Sequence, residues 1–214
     1  MILKTKNLTI GYGNKAVQRN LNLEASPRDL ICLTGTNGSG KSTLLRTLAG
    51  LQPALNGKVF IADKDIASLN VHQRSTLFSL VLTDDIDIDR LTVRELVAMG
   101  RFPYTNWAGA LSHNDHEIID KALADVHLSH KADALINHIS DGEKQRAVIA
   151  KALTQDSPLV LLDEPTAHLD LPNRIEIMLL LRRLSVSTGK SFILSTHELD
   201  LALQMADRIW LMTP

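Results

Sequence analysis

The apolar residues of this chain fall into two textures. Leu30-Ile31-Cys32-Leu33 and Leu159-Val160-Leu161-Leu162 are continuous apolar runs, as is Phe192-Ile193-Leu194 behind Ser191. Such runs belong to parallel strands buried on both faces. Leu77 to Leu82 predicts a further strand and Arg208 to Met212 a last one. Helical patterns separate them. Leu44 to Ala49 reads as a helix ending at Gly50, and Thr92-Val93-Arg94-Glu95 is a capping box opening a helix to about Met99. Asn114 to Val126 and Leu199 to Met205 are further helices. Asp170 and Pro172 open a long amphipathic one, as N-cap and early helical proline, with an apolar stripe of Ile175, Met178, Leu179 and Leu181.

The first third is different. Leu3 to Ile10 has strand character and runs into the turn Gly11-Tyr12-Gly13-Asn14. Leu21-Asn22-Leu23-Glu24-Ala25 alternates like a half-exposed strand. Lys58 to Ala62 is a strand introduced by Asn56-Gly57, a hairpin signal. The pattern predicts an α/β fold with a mainly parallel core sheet flanked by helices and a small antiparallel β region. Residues from about 84 to 152 form a helical insertion rather than a separate domain, because strands resume after it.

Composition narrows the class. The chain has 214 residues, enough for one domain plus a small insertion, and an apolar fraction of 44%, as in globular proteins. Net charge is −1, from 23 basic and 24 acidic residues, so no basic excess points to nucleic acid. The one cysteine, Cys32, sits in an apolar run and reads as a core residue in a reducing compartment. No apolar run approaches the ~20 residues of a membrane span. The start, Met1-Ile2-Leu3-Lys4-Thr5-Lys6, lacks a signal-peptide stretch. The expected protein neither crosses a membrane nor is exported, yet could dock on a membrane protein.

Chemistry concentrates at strand ends. After Leu33 comes Gly35-Thr36-Asn37-Gly38-Ser39-Gly40-Lys41-Ser42-Thr43, then a helix. Strand, glycine loop and helix form the context of a phosphate-binding loop. Glycines let backbone N–H groups turn around an anion, the helix start adds its unpaired donors, Lys41 reaches the β- and γ-phosphates, and the Ser42 hydroxyl suits Mg²⁺. An ordinary glycine-rich turn needs neither Lys41 nor Ser42. Asp163-Glu164 closes the strand at Leu162, at the edge where α/β sheets bind ligands. There Asp163 would hold the metal and Glu164 would polarise an attacking water. Ser195-Thr196-His197 closes the third buried strand, and His197 can contact a γ-phosphate and fix that water. Ser140-Asp141-Gly142-Glu143 is a capping box at a helix start, and the same N-terminus is a fit receptor for phosphate. Asp84 to Arg90 reads as a solvated acidic connector, and the remaining histidines share no metal-site spacing.

In this order the motifs resemble the ATP-binding subunits of ABC transporters, a P-loop NTPase fold, over nearly the whole chain. The resemblance implies a Mg²⁺-dependent ATPase with an A-loop tyrosine, Tyr12, stacking on adenine, and a D-loop aspartate, Asp170, crossing to a second copy. It implies an ATP-sandwich homodimer in which Ser140, Asp141, Gly142 and Glu143 of one copy face the ATP of the other. It also implies an integral-membrane permease docked near the Thr83 loop, on the cytoplasmic face of the cell membrane. From Leu80 to Tyr104 the chain is similar to importers of iron complexes (siderophores, haem) and cobalamin, which act with a substrate-binding protein. Three departures stand out. Asp141 and Glu143 occupy signature positions usually held by glycine and glutamine, so Asp141 has to point away from the phosphate. Thr83 stands at the Q-loop glutamine. The family continues past Met212, which implies a truncated or shortened C-terminal element. A soluble ABC ATPase acting on DNA, ribosomes or iron–sulfur assembly, and a non-hydrolysing regulator, remain as alternatives from other classes.

Overall fold

A computed structural model describes residues 1–82, 90–106 and 109–213. Thr83 and the acidic stretch from Asp84 to Asp89 lie outside the described residues.

The parallel strands form one five-stranded sheet. They are β4 (Leu30–Gly35), β7 (Phe78–Val81), β8 (Leu159–Leu162), β9 (Ser191–Thr196) and β10 (Arg208–Met212), in the order β10-β4-β9-β8-β7. Their continuous apolar runs are explained by two buried faces. Ile31, Leu33, Leu159, Leu161 and Ile193 pack with Leu44, Leu45 and Leu48 of α1 (Lys41–Leu48). The alternate residues Leu30, Cys32, Val160, Leu162, Phe192 and Leu194 pack on the other side with Met178, Leu181 and Leu184 of α6 (Leu171–Thr188). Side chains alternate across a strand, so a strand covered on both sides needs apolar residues at every position. Burial pushes the Cys32 thiol up to about 12, which makes it a core residue without thiolate character.

A second sheet covers the α1 side. It contains β1 (Leu3–Tyr12), β2 (Lys15–Leu21), β3 (Glu24–Ala25), β5 (Asn56–Ile61) and β6 (Lys64–Asp65), all paired antiparallel. Here the sequence expectation needs correction. The strand expected at Leu21 to Ala25 is split: Leu21 closes β2, paired with Leu8, and Glu24–Ala25 pairs separately with β1, as β3. β2 itself, Lys-Ala-Val-Gln-Arg-Asn-Leu, is an edge strand without a fully buried residue, so it carries little alternation. Asn56-Gly57 is not a hairpin turn. Gly57, at φ 82°, is the second residue of β5, where the β1–β5 register shifts between Lys6 and Thr9, and a Cβ there would sit 2.4 Å from the Asn7 carbonyl oxygen. It serves a bulge, another structure that demands positive φ.

Between β7 and β8 the chain runs through α3 (Val93–Ala98), a 3₁₀ turn (Met99–Tyr104), α4 (His113–Asp125) and α5 (Asp141–Thr154). Each of these α-helices starts with a reciprocal capping box: Thr92 with Glu95, Ser112 with Asp115, Ser140 with Glu143. Their apolar faces join the α6 side of the core, with Leu96, Ile119, Ala147 and Ile149 in the same cluster as Leu162. Along α6, Leu179 does not belong to the apolar stripe expected of it. It is 54% exposed, and the buried face runs through Ile177, Met178, Leu180, Leu181 and Leu184. The remaining helices are α2 (Val71–Ser75) and α7 (Leu199–Met205).

A buried ion pair pins the helical cluster. Arg101 Nε donates to Asp115 Oδ1 at 2.7 Å and Arg101 Nη1 to the Thr154 carbonyl at 2.8 Å, with the Tyr104 ring 4.0 Å from the guanidinium carbon. Hydrogen bonds from Ser112, aided by Arg101, hold the Asp115 carboxyl down to about 2. Removing one partner of a covered pair leaves the other charge uncompensated. Arg101→Met is therefore expected to cost about 3–5 kcal/mol in urea unfolding. The folded-state value of Asp115 lies below its ordinary 3.8, so its contribution is complete above that pH and fades as pH falls toward 2. Asp115→Asn should flatten the stability profile across that window, measured by denaturant midpoints at stepped pH.

Candidate functional site at the carboxyl edge of the parallel sheet

β4, β9 and β8 are neighbours, and their carboxyl ends bring the candidate residues together. The register pairs Leu33 with Ser195 and Thr34 with Thr196, then Leu162 with Leu194. The chain leaves β4 at Gly35, crosses the loop and enters α1 at Lys41. Gly40 caps that helix at φ 102°, and a Cβ on it would stand 2.6 Å from Val17 Cγ1. Only glycine combines that dihedral with so close a neighbour.

Lys41 is 6% exposed and lies back along the loop, its Nζ donating to the carbonyls of Gly35 (2.9 Å) and Thr36 (3.3 Å). The Ser39 hydroxyl is buried with no hydrogen-bond partner among the described residues. A buried unpaired hydroxyl costs about 1–3 kcal/mol, and this one lies within the glycine loop. Ser42 Oγ donates to Asp163 Oδ1 at 3.0 Å. Ser195 Oγ donates to the same oxygen at 2.7 Å and accepts the Glu164 N–H at 2.8 Å. Glu164 is held at φ 46°, a left-handed conformation that costs a non-glycine residue about 1–3 kcal/mol and clusters at working sites.

A cleft of about 390 Å³ opens on this edge, lined by Tyr12, Val17, Asn37, Gly38, Gly40, Lys41, Ser42, Thr43 and Glu164. Tyr12 is 57% exposed, and its hydroxyl lies 3.1 Å from Thr43 Oγ1. A larger cleft, about 580 Å³, runs from Asp163, Glu164 and His168 along α5 past Asp141, Lys144, Gln145 and Lys151.

His197 follows β9 but does not line the smaller cleft among its described residues. Its half-exposed ring places Nε2 3.3 Å from Glu198 Oε1. Asp170 caps α6, accepting from the backbone N–H (3.1 Å) and the side-chain amide (2.6 Å) of Asn173. Asn173 Oδ1 in turn sits where a Cβ on Gly142 would come within 2.4 Å, so the starts of α5 and α6 abut. Asp141 points outward, 74% exposed, with Lys144 Nζ at 3.1 Å. Glu143 is only 14% exposed and pairs with Lys131 Nζ at 2.6 Å.

The cradle, the acid-tipped strand and their order along the chain agree with a family match: the ABC transporter model covers residues 18–167. The chain belongs to the ABC transporter family. It is 37% identical over 208 residues to an uncharacterized ABC transporter ATP-binding protein of Methanocaldococcus jannaschii, covering 97% of this chain and 72% of that one. A petrobactin import ATP-binding protein of Bacillus anthracis is 36% identical (97% and 76% covered), as is the ferric enterobactin transport ATP-binding protein of Escherichia coli K12 (97% and 76%). Among solved structures, a metal-chelate type ABC transporter in an inward-facing conformation superposes at TM-score 0.87 and 27% identity, covering 99% of this chain and 79% of that one. A dimeric ATP-binding cassette in a post-hydrolysis state with ADP and Pi superposes at TM-score 0.80 and 28% identity, covering 99% and 94%. The ABC protein described here is thus an ATP-binding ATPase subunit with the family's α/β fold.

Sequence reasoning missed three residues. Ser195 stood in the strand-end triplet, but only its third member was given a role. Lys131 meets Glu143, and Asn173 meets Gly142, across loops, which no local motif signals. Ser195→Ala removes the donor to Asp163 and orphans the Glu164 N–H, worth about 1–3 kcal/mol. The expected result is a fall in kcat of about tenfold or more with the ATP dissociation constant nearly unchanged, read by phosphate release and equilibrium titration.

Proposed function

We propose that this ABC protein supplies the energy for an importer of an iron complex (siderophore or haem) or of cobalamin. It would act as a homodimer on two membrane permease subunits at the cytoplasmic face, with a substrate-binding protein delivering the solute. The observation carrying the chemistry is the Ser42–Asp163–Ser195 cluster beside the buried Lys41. The transport assignment is supported by relatives named for petrobactin import and ferric enterobactin transport.

Each residue then has a role. The loop from Gly35 to Thr43 cradles the phosphates, with Lys41 and the backbone amides neutralising their charge. Lys41 would leave the two carbonyls it now contacts and turn to the β- and γ-phosphates. Tyr12 offers its ring to adenine. A serine hydroxyl and an aspartate 3.0 Å apart are hard oxygen donors that fit Mg²⁺, so Ser42 and Asp163 would hold it. Bound there, the ion would supply neutralising charge to the phosphates. Glu164, which lines both clefts, would accept a proton from the attacking water. His197 would have to turn from Glu198 to position that water. Ser140 and Gly142 of one copy would face the ATP of the other, with Asp141 turned out to water and Glu143 folded back over the helix start, an isologous arrangement, and Asp170 would cross at the same interface. We assign residues of about 84–152 as the helical subdomain, with Thr83 at the coupling loop that meets the permease.

Two variants test the reading. Lys41→Ala should lose both ATP binding and steady phosphate release. Glu164→Gln should keep ATP binding while losing about 100-fold or more of hydrolysis, together with solute uptake. Affinity purification of the full chain from its membrane fraction should bring down an integral-membrane permease. A permease-free soluble complex would move the assignment to another class of ABC ATPase.

A further inference from the structure

The start of α5 carries acids at two first-turn positions, Asp141 and Glu143. They are handled differently. Asp141 is out in water, and its lysine lies one turn along the same helix. Glu143 is folded back over the helix start. Its Oε2 accepts from the Ser140 N–H (2.9 Å) and hydroxyl (3.1 Å), and its Oε1 meets Lys131 at 2.6 Å. Lys131 comes from a separate 3₁₀ turn, Ser129–Lys131, and is the ion-pair partner recorded for Glu143 among the described residues.

A glutamine at this position could make the same two contacts to Ser140 through its amide oxygen and would bring no charge. The carboxylate adds a full negative charge at the end of a helix whose unpaired N–H groups otherwise favour anions. We propose that Lys131 is a positioning residue for ATP-driven dimer closure: it neutralises Glu143, so that the α5 start can approach the triphosphate held by the other copy. The inference rests on the dimer described under Proposed function. Lys131 lines neither of the two clefts, and would act through Glu143. The Glu143 carboxyl is held down to about 2, chiefly by Lys131 and then by Ser140, so it carries its charge throughout the neutral range.

The experiment is a charge cycle in the hydrolysis-deficient Glu164→Gln chain. ATP-dependent dimerisation is followed by sedimentation, and ATP affinity is measured separately on dilute monomer. Lys131→Met should raise the ATP concentration for half-maximal dimerisation by tenfold or more, leaving monomer affinity within about twofold. Lys131→Arg should behave as the parent. In the Glu143→Gln background, Lys131→Met should cost less than twofold. A purely structural role predicts instead that Lys131→Met lowers the melting temperature and dimerisation in both backgrounds. If the parent dimerises and Lys131→Met does so equally well, or if Glu143→Gln fails to rescue it, the proposal is wrong while the dimer stands. If the parent itself does not dimerise with ATP, the dimer reading falls and takes this proposal with it.

Discussion

One carboxyl oxygen, Asp163 Oδ1, receives hydroxyls from two other strand units: Ser42 beyond β4 and Ser195 at the end of β9. That meeting is possible only because β4, β9 and β8 are adjacent, parallel and in register, so their carboxyl ends fall on one edge. Register in turn is enforced by burial on both faces. A slip of one residue would exchange the side chains facing α1 with those facing α6, whose volumes differ. The edge that carries the candidate site therefore inherits its precision from the apolar middle of the sheet rather than from the loops that border it. At Ser195 one hydroxyl fixes both the Asp163 carboxyl and the Glu164 backbone N–H.

The same packing ties the helical cluster to the site. Leu162, one residue before Asp163, shares an apolar cluster with Ala147 and Ile149 of α5. Polar contacts reinforce the joint: Arg146 pairs with Glu176 at 3.0 Å, and Arg183 reaches both His127 (2.7 Å) and the Asp125 carbonyl (2.8 Å). Gly142 against Asn173 adds a contact that tolerates no side chain without displacement. Helices and sheet here form one packed body, so the position of the α5 start is set by the same core that places Asp163.

What could be read from the chain follows from how local each signal is. β8, β10 and α7 carry their assignment in consecutive residues, and the structure places them where the apolar pattern does. Capping boxes are complete within four residues, and those at Thr92 and Ser140 were legible for the same reason. β2 was not, because an edge strand half open to water needs no alternation, and its identity comes from pairing with β1. Gly57 announced a positive φ, which a hairpin turn and a bulge both require, and only the register against β1 separates them. Leu179 was misplaced by a helical stripe drawn too wide, since nothing within α6 says which side of the stripe meets the sheet. At the site, the cradle and the acids are contiguous motifs. The Ser195 and Lys131 contacts span 32 and 12 positions, and depend on sheet order and loop path.

Comparing the capping boxes suggests why Lys131 is where it is. Each N3 acid accepts hydrogen bonds from its own N-cap residue, which lowers its pKa. Glu95 is exposed, and water completes its solvation. Asp115 and Glu143 are covered, with side-chain exposures of 7% and 14%, and each has a cation: Arg101 for one, Lys131 for the other. Burial of a capping carboxylate thus goes with a compensating charge, as desolvation demands. The two covered pairs differ in setting. Arg101 is itself buried and serves the interior of the helical cluster, whereas Lys131 is 35% exposed beside the start of α5. Folding alone would account for a cation at both places. In the proposed dimer the cation at Glu143 would also neutralise a charge facing the second copy, which is why the charge cycle, and not a stability measurement, separates the two roles.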